Sequence, residues 1–529
     1  MLMSADAYRE SLRRRKPSVY VDGERIGSVA DAPQLAPGVA AVAKTYDMAL
    51  VADLAPVMQA RGDGSDAPVN RMIALTRDTA DLLNRLEAVR RVCQETGCAQ
   101  RYLGGDALNA LLYGTHRTDA EHGTAYHPRL RHYLEHVHGN DLALGVAMTD
   151  AKGDRSLRPH QQPNRDSYLH VVERNSRGIV ISGAKAIVTG APYMHELLVL
   201  PGRAMTEDDA PFAVACAVPV DAKGLTIVAR PAGRPGESAA KFSARFGQST
   251  AVCLFDRVEV PWDRVFLAGE WAEVSPMLGH YTSQHRHACI GARAGFGDLL
   301  IGAGALVTEA NGLDLDSHYN LRDSMVELIK IVEGFFACGV AASVYGEATA
   351  AGNMAPEPVF ANIGKLLLAT QIYDMHRLAH HVSGGLIVAL PGPDEDHNPA
   401  TAGRLSEVLT ARSDIPYEKR IEAARFVEDL TASYQAGWYS VISLHGGGSP
   451  DAMKMEIFRN YPLGNKVDLV ERLLDRGVLA DATRSITRNR QPGRCCVAGC
   501  QMTELPATQA VPLPAPAAAR RAGAETLAK

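Results

Sequence analysis

The 529-residue sequence predicts an α+β fold in which a compact β domain is inserted between two helical regions. Three observations carry that expectation. From residue 70 to residue 112 apolar residues recur at helical spacing, and Gly and Pro are scarce inside the run. Between about Tyr168 and Phe266 the pattern changes to short β-branched stretches punctuated by Gly, Pro and Asp. From about Glu273 to Leu479 long helical patterns return, broken at Gly384 and Gly385 and again at a glycine turn, Gly446 to Ser449.

Taken in order, the first helical region is drawn by Met72, Ile73, Leu75, Leu82, Leu83, Leu86, Val89 and Val92, which return to one face every three or four residues. The β region reads as strands near 169–173, 178–182, 197–200, 212–218, 225–228 and 251–255, each short enough to end at the next turn signal. The expected boundaries are a helical domain at 1–150, a β domain at 151–272, a helical bundle at 273–487 and a tail at 488–529. The tail is Ala/Pro-rich from Pro506 to Lys529 and reads as disordered.

Hydrophobic residues make up 46% and charged residues 22%, the balance of an ordinary globular chain. A formal net charge of -5 leaves no basic surface for nucleic acid, and the run Arg13 to Lys16 is short enough for a solvated helix face. No run of about 18 apolar residues suggests a membrane span. The N-terminus lacks the apolar centre of a secretory signal, so a cytoplasmic location is expected. The nine cysteines are odd in number and mostly isolated, which fits reduced thiols. Cys495, Cys496 and Cys500 have metal-like spacing without a matching pair, and the tail is read as reactive rather than zinc-binding.

Three segments point to an anionic cofactor. Gly446, Gly447, Gly448 and Ser449 precede a helix-like stretch, an arrangement that lets backbone N–H groups approach a ligand. The second segment, 147–155, contains Met148, Thr149, Gly153, Asp154 and Arg155. The third, 182–192, contains Lys185 and Thr189. Together these three segments resemble the flavoprotein family that contains 4-hydroxyphenylacetate 3-hydroxylases and 4-hydroxybutyryl-CoA dehydratases, over about Tyr8 to Ser485.

The resemblance implies an acyl-CoA dehydrogenase-like architecture, FAD between the β domain and the C-terminal helices, and a homotetramer. On that footing the Thr149 and Thr189 hydroxyls suit the isoalloxazine edge, and Gly153, Asp154 and Arg155 suit pyrophosphate or ribose. Lys185 is placed to hold negative charge near reduced flavin. Met148 and the glycine turn complete the cofactor set.

The dehydratase branch carries an iron–sulfur cluster on three cysteines and one histidine. Laid on this sequence, those positions are Cys98, Tyr102, His285 and Ala292, so two thiolates are missing and a cluster is not expected. By helical position Cys93 falls on a different face from Cys98, and Cys289 lies nearly a turn from Ala292. Acidic residues of that branch are replaced by Thr250 and Ile442, and the substrate histidine of the hydroxylase branch is replaced by Val146. The expectation is therefore an FAD-dependent oxidoreductase, a two-component monooxygenase whose reduced FAD comes from a separate flavin reductase, acting on an aromatic or heteroaromatic small molecule. The alternatives are a cluster-free dehydratase or isomerase of an acyl thioester, and a non-enzymatic flavin-binding protein. His285 is the leading catalytic candidate as a general base, with Arg101 and Tyr102 beside it. His287 and Cys289 are lesser candidates.

Overall fold

The computed structural model describes residues 2–62, 67–234 and 239–474. Cys495, Cys496, Cys500 and the rest of the expected tail lie outside the described residues. Met1–Tyr461 forms one compact unit, and the Leu463–Leu473 helix belongs to a second unit that begins at Pro462.

The helices start and stop where their caps dictate. Thr79–Thr96 is opened by Asp78, whose carboxylate accepts from the Asp81 N–H at 2.8 Å, and it buries Leu82, Leu86, Val89, Val92 and Cys93 on one face. It ends at Gly97, with φ +68°, and the chain turns before re-entering a helix at Tyr102–His122. The longest helix, Val274–Ala310, has 37 residues and runs through the core. Its small residues allow close packing: a Cβ on Gly291 would stand 2.4 Å from the Leu86 carbonyl oxygen, and one on Gly295 would stand 2.2 Å from that of Arg90. The segment Trp271–Ala310 is long and apolar enough by composition to cross a bilayer, but 67% of its most apolar window is buried inside the fold. It is a core helix.

Two sheets form the β region. The six-stranded sheet contains Ser18–Val21, Leu225–Ala229, Thr250–Pro261 and Gly178–Thr189 as successive neighbours, with edge strands on either side. The four-stranded sheet runs Val265–Ala268, Val214–Pro219, Glu196–Val199 and Leu144–Ala147. In Thr250–Pro261, buried Ala251, Cys253 and Phe255 alternate with outward residues. The extra residue at a bulge, where Arg257 takes φ +50°, restores the phase for buried Val258 and Val260.

The helix–sheet–helix order is as expected, but the boundary at residue 150 is not a physical one. Ser18–Val21 pairs parallel with Leu225–Ala229, and Leu144–Ala147 pairs parallel with Glu196–Val199, so the N-terminal region supplies strands to both sheets. Parallel partners must come from distant chain, which a local pattern does not reveal.

Candidate active site

The Val274–Ala310 and Tyr102–His122 helices bring His285 and Asp106 together in the core. Asp106 Oδ2 lies 3.0 Å from His285 Nδ1, and Asp106 Oδ1 accepts from Arg85 Nη2 at 2.6 Å. One turn along from His285, the Cys289 sulfur lies 3.6 Å from Nε2. The imidazole is flanked by the rings of Tyr281 and Tyr102, at centroid distances of 5.5 and 6.4 Å. Burial alone would push the His285 imidazole down, but Cys289 and Asp106 outweigh it and raise it to about 10. Burial likewise works against the Cys289 thiolate, yet the facing His285 charge and hydrogen bond bring the thiol below its ordinary value. Each group thus favours the charged form of the other, Cys289 drawn towards thiolate and His285 towards imidazolium, and His285 is held by two partners rather than standing as the free general base expected from the sequence. Burial raises the phenols of Tyr102 and Tyr281 well above their ordinary value, keeping both protonated.

The glycine turn closes over this group. A Cβ on Gly447, whose φ is +78°, would stand 3.1 Å from His285 Cδ2, and one on Gly448, with φ +107°, would stand 3.1 Å from Arg286 Nη2. Arg286 Nε donates to the Gly447 carbonyl at 3.0 Å and Nη1 to Asn362 Oδ1 at 2.6 Å, which fixes the turn on the long helix. Gly446 and Ser449 shape its ends. A Cβ on Gly446 would meet the Ile442 carbonyl oxygen at 2.6 Å, and the Ser449 hydroxyl accepts from the Ala452 N–H as the cap of Pro450–Asn460.

The second cofactor segment is tied together by Lys185. Its ammonium pairs with Asp150 Oδ1 at 2.7 Å and donates to the carbonyls of Met148 and Leu200, both at 2.9 Å. Its three N–H bonds are thereby occupied, so Lys185 builds the loop and is not free to meet a flavin. The Thr149 carbonyl accepts from Ala186 N–H at 2.8 Å, and Thr189 pairs with Thr250 across the sheet. Thr250 accepts from the Trp438 indole at 2.9 Å, and Trp438 packs on Tyr439, so this segment is joined to the helix that carries the glycine turn. Gly153 and Asp154 serve their own turn: a Cβ on Gly153 would meet Gln162 Oε1, and Asp154 accepts from Ser156. Arg155 is exposed and forms no ion pair among the described residues. The side-chain-free backbone at Gly447 and Gly448, with half-buried Thr149 and with Thr189 in the adjoining sheet, suits close approach of a planar cofactor carrying an anionic arm.

Arg101 is misplaced in the sequence reading. It is fully buried, pairs with Asp141 and lies 3.7 Å over the Tyr46 ring, whereas the next residue, Tyr102, faces His285. Successive residues at a helix start point in different directions, and only one can face the site. His287 is also structural: its Nε2 meets Ser343 Oγ at 2.7 Å and burial lowers its pKa to about 3. The separation of Cys93 from Cys98 does not hold either. The helix ends between them, so helical position no longer applies, and the chain folds Cys98 back to hydrogen-bond Cys93. That bond and, against burial, the Arg293 guanidinium hold the Cys98 thiol at about 6. Among the described residues no group of three His, Cys, Asp or Glu side chains is arranged to hold a metal, so the donors present do not fit an iron–sulfur cluster.

Asp106, Arg85, Arg293, Lys365 and Ser443 were missed by sequence reasoning. Asp106 and Lys365 each stand as a single charge in an apolar helical run, a signal that could have found them. A separate cavity of about 470 Å³, bounded by Lys241, Phe242, Arg245 and Phe426, touches none of these groups.

The family described as 4-hydroxyphenylacetate 3-hydroxylase matches by its N-terminal part at residues 4–267 and its C-terminal part at residues 275–475. The "4-hydroxybutyryl-CoA dehydratase/vinylacetyl-CoA-Delta-isomerase" of Clostridium aminobutyricum is 35% identical over 489 residues, covering 89% of this chain and 99% of that protein. The "4-hydroxyphenylacetate 3-monooxygenase oxygenase component" of Thermus thermophilus is 23% identical over 478 residues, covering 89% and 97%. Among solved structures, an oxygen-tolerant archaeal 4-hydroxybutyryl-CoA dehydratase from N. maritimus superposes with a TM-score of 0.86 at 33% identity, over 91% of this chain and 96% of that one. The α+β fold is that of the solved dehydratase, and the chain belongs to the 4-hydroxyphenylacetate 3-hydroxylase family of enzymes.

Proposed function

We propose that this protein is an FAD-dependent enzyme that shifts a double bond in an acyl thioester by moving a proton, without an iron–sulfur cluster. The observation that carries this reading is the Asp106–His285–Cys289 line beneath the glycine turn, a charge-supported proton donor and acceptor held side by side. The dehydratase/isomerase relative at 35% identity supports it more strongly than the monooxygenases near 23% support the hydroxylation expected from the sequence.

Removing water from an unactivated position needs more machinery than these side chains offer, whereas a proton next to a thioester carbonyl is already acidic. Proton transfer from that carbon and its return further along the chain needs one acid/base pair, which Cys289 and His285 provide. Tyr102 and Tyr281, kept protonated, bound the imidazole and exclude water from it. FAD would lie in the cradle at Gly447 and Gly448, with Thr149 and Thr189 on its ring edge, and when bound it supplies redox chemistry. A homotetramer fits this reading, since outward-facing Ile187, Val228, Val252 and Leu254 offer apolar surface for a second copy. Light scattering of the purified protein tests that assembly.

The deciding experiment incubates flavin-loaded protein with vinylacetyl-CoA in deuterated water and follows conjugated enoyl thioester and deuterium uptake. Conjugation with deuterium incorporation supports the reading. No exchange, combined with oxygen-dependent hydroxylation of a phenol when a flavin reductase is added, overturns it in favour of the two-component monooxygenase.

A further inference from the structure

Two of the buried cations beside the site lack the carboxylate partners that several buried cations elsewhere in this fold possess. Arg71, Arg85, Arg101 and Lys185 each meet a carboxylate within 3.0 Å. Arg293 and Lys365, 4% and 1% exposed, meet none within 4.0 Å among the described residues. Both converge on Ser443, where Arg293 Nε donates to the hydroxyl at 2.5 Å and Lys365 Nζ to the carbonyl at 2.7 Å. Arg293 Nη1 is left buried without a hydrogen-bond partner, and Lys365 has donors to spare. The acidic groups facing Arg293 include the thiols of Cys98, Cys93 and Cys289 and the phenols of Tyr102 and Tyr439. Burial drives the Lys365 ammonium down to about 8; Cys289 opposes this, while Arg293 and Arg286 add to it. Cys98 hydrogen-bonds Arg293 and answers part of its charge, but the buried Nη1 is left without an acceptor, which is costly unless a further anionic group joins it.

Cys289 is where this stretch of the helix is least enclosed. Between Gln284 and Gly297 every residue of the long helix is buried except this one. It lies four residues before Arg293, on the same helix face.

We propose that Arg293 and Lys365 form an anion site that takes one negatively charged oxygen group of the substrate, with Cys289 at its mouth. The shared chemistry is an oxyanion, and it has two sources: a carboxylate carried by the substrate, or the enolate oxygen of a thioester. In the second case the proton leaves the carbon beside the carbonyl for the Cys289–His285 pair and the electron pair moves to oxygen. That oxygen accepts from Arg293 Nη1 and Lys365 Nζ, and reprotonation of carbon restores the carbonyl. The enolate source rests on the thioester reading, whereas the existence of the site does not.

The test uses the flavin-loaded protein and three probes: crotonate, its neutral analogue crotonamide, and acetoacetyl-CoA, whose enolate absorbs in the near ultraviolet. Binding of crotonate at least tenfold tighter than crotonamide assigns the site to a substrate carboxylate. Enolisation of bound acetoacetyl-CoA at a pH at least one unit below that of the free thioester assigns it to the enolate. Either preference should fall about tenfold in Lys365→Met and Arg293→Gln and be partly restored in Arg293→Lys. If these variants fail to fold, the wild-type probes alone decide. Equal binding of crotonate and crotonamide, with acetoacetyl-CoA held as its neutral form, would overturn the proposal. Anion preference without turnover of vinylacetyl-CoA keeps the site and removes the thioester reading, and turnover without anion preference does the reverse.

Discussion

Asp106 Oδ2 stands 3.0 Å from His285 Nδ1, across 179 residues of chain, and with Cys289 on its other side the imidazole is held towards its protonated form. Replacing His285 by Ala should retain flavin and lower turnover by about 10²-fold, the scale for a positioned acid/base group. Turnover assays beside thermal melts separate this from a packing role, which would lower stability and activity together.

The same contact fixes a pH profile of stability. His285 is raised above 6.5 to about 10, so its contribution is complete below about pH 6.5 and is lost as pH rises towards 10. Cys289 is lowered from 9.0, so its contribution is complete above about pH 9 and is lost as pH falls through its folded value. Between those ordinary values the two dependences have opposite sign, so melting temperature should vary less with pH than either group alone would dictate. In Cys289→Ala only the imidazole dependence remains, and stability should decline from about pH 6.5 upward wherever Asp106 still holds the proton. Thermal melts of both proteins across pH 5 to about 10.5 check this.

Gly447→Val should cost about 1–3 kcal/mol in stability, since a β-branched residue is forced to φ +78°, and should weaken FAD binding by far more than that loss implies. Its Cβ would press on His285 Cδ2 at 3.1 Å. Gly279→Ala, on the same long helix with nothing within 4 Å of the new Cβ, is the control and should leave both unchanged or slightly improve stability. Fluorimetric FAD titration and denaturant melts report the two effects separately.

Arg101→Met should destabilise by about 3–5 kcal/mol because Asp141 loses its buried partner. The folded fraction should keep its turnover number, as the guanidinium lies on Tyr46 and not on His285. Tyr102→Phe should behave in the opposite way, with stability nearly kept and turnover reduced. Active-site titration of each variant distinguishes the pair, and a fall in turnover per folded Arg101→Met enzyme would return that arginine to the site.

Anaerobically purified protein should contain FAD without stoichiometric iron and sulfide, because no group of three His, Cys, Asp or Glu side chains among the described residues is arranged to hold a metal. Iron and acid-labile sulfide assays beside the flavin spectrum measure this directly.

The order of helical, sheet and helical regions was legible in the sequence, because apolar spacing and turn residues act over a few positions along the chain. The sequence also marked His285, Tyr102 and the glycine turn, whose residue types are unusual in their local setting. Tertiary structure decided the rest. Only packing could show that Ser18–Val21 joins a sheet with Leu225–Ala229, or that Lys185 is spent on Asp150 and two carbonyls. Local spacing could not separate buried Arg101, facing Asp141, from its neighbour Tyr102, facing His285. The protonation of His285 was the least legible feature, since a general base and an imidazolium are the same letter. What distinguishes them is a carboxylate and a thiol delivered from elsewhere in the fold, at distances where Coulomb attraction outweighs the cost of burial.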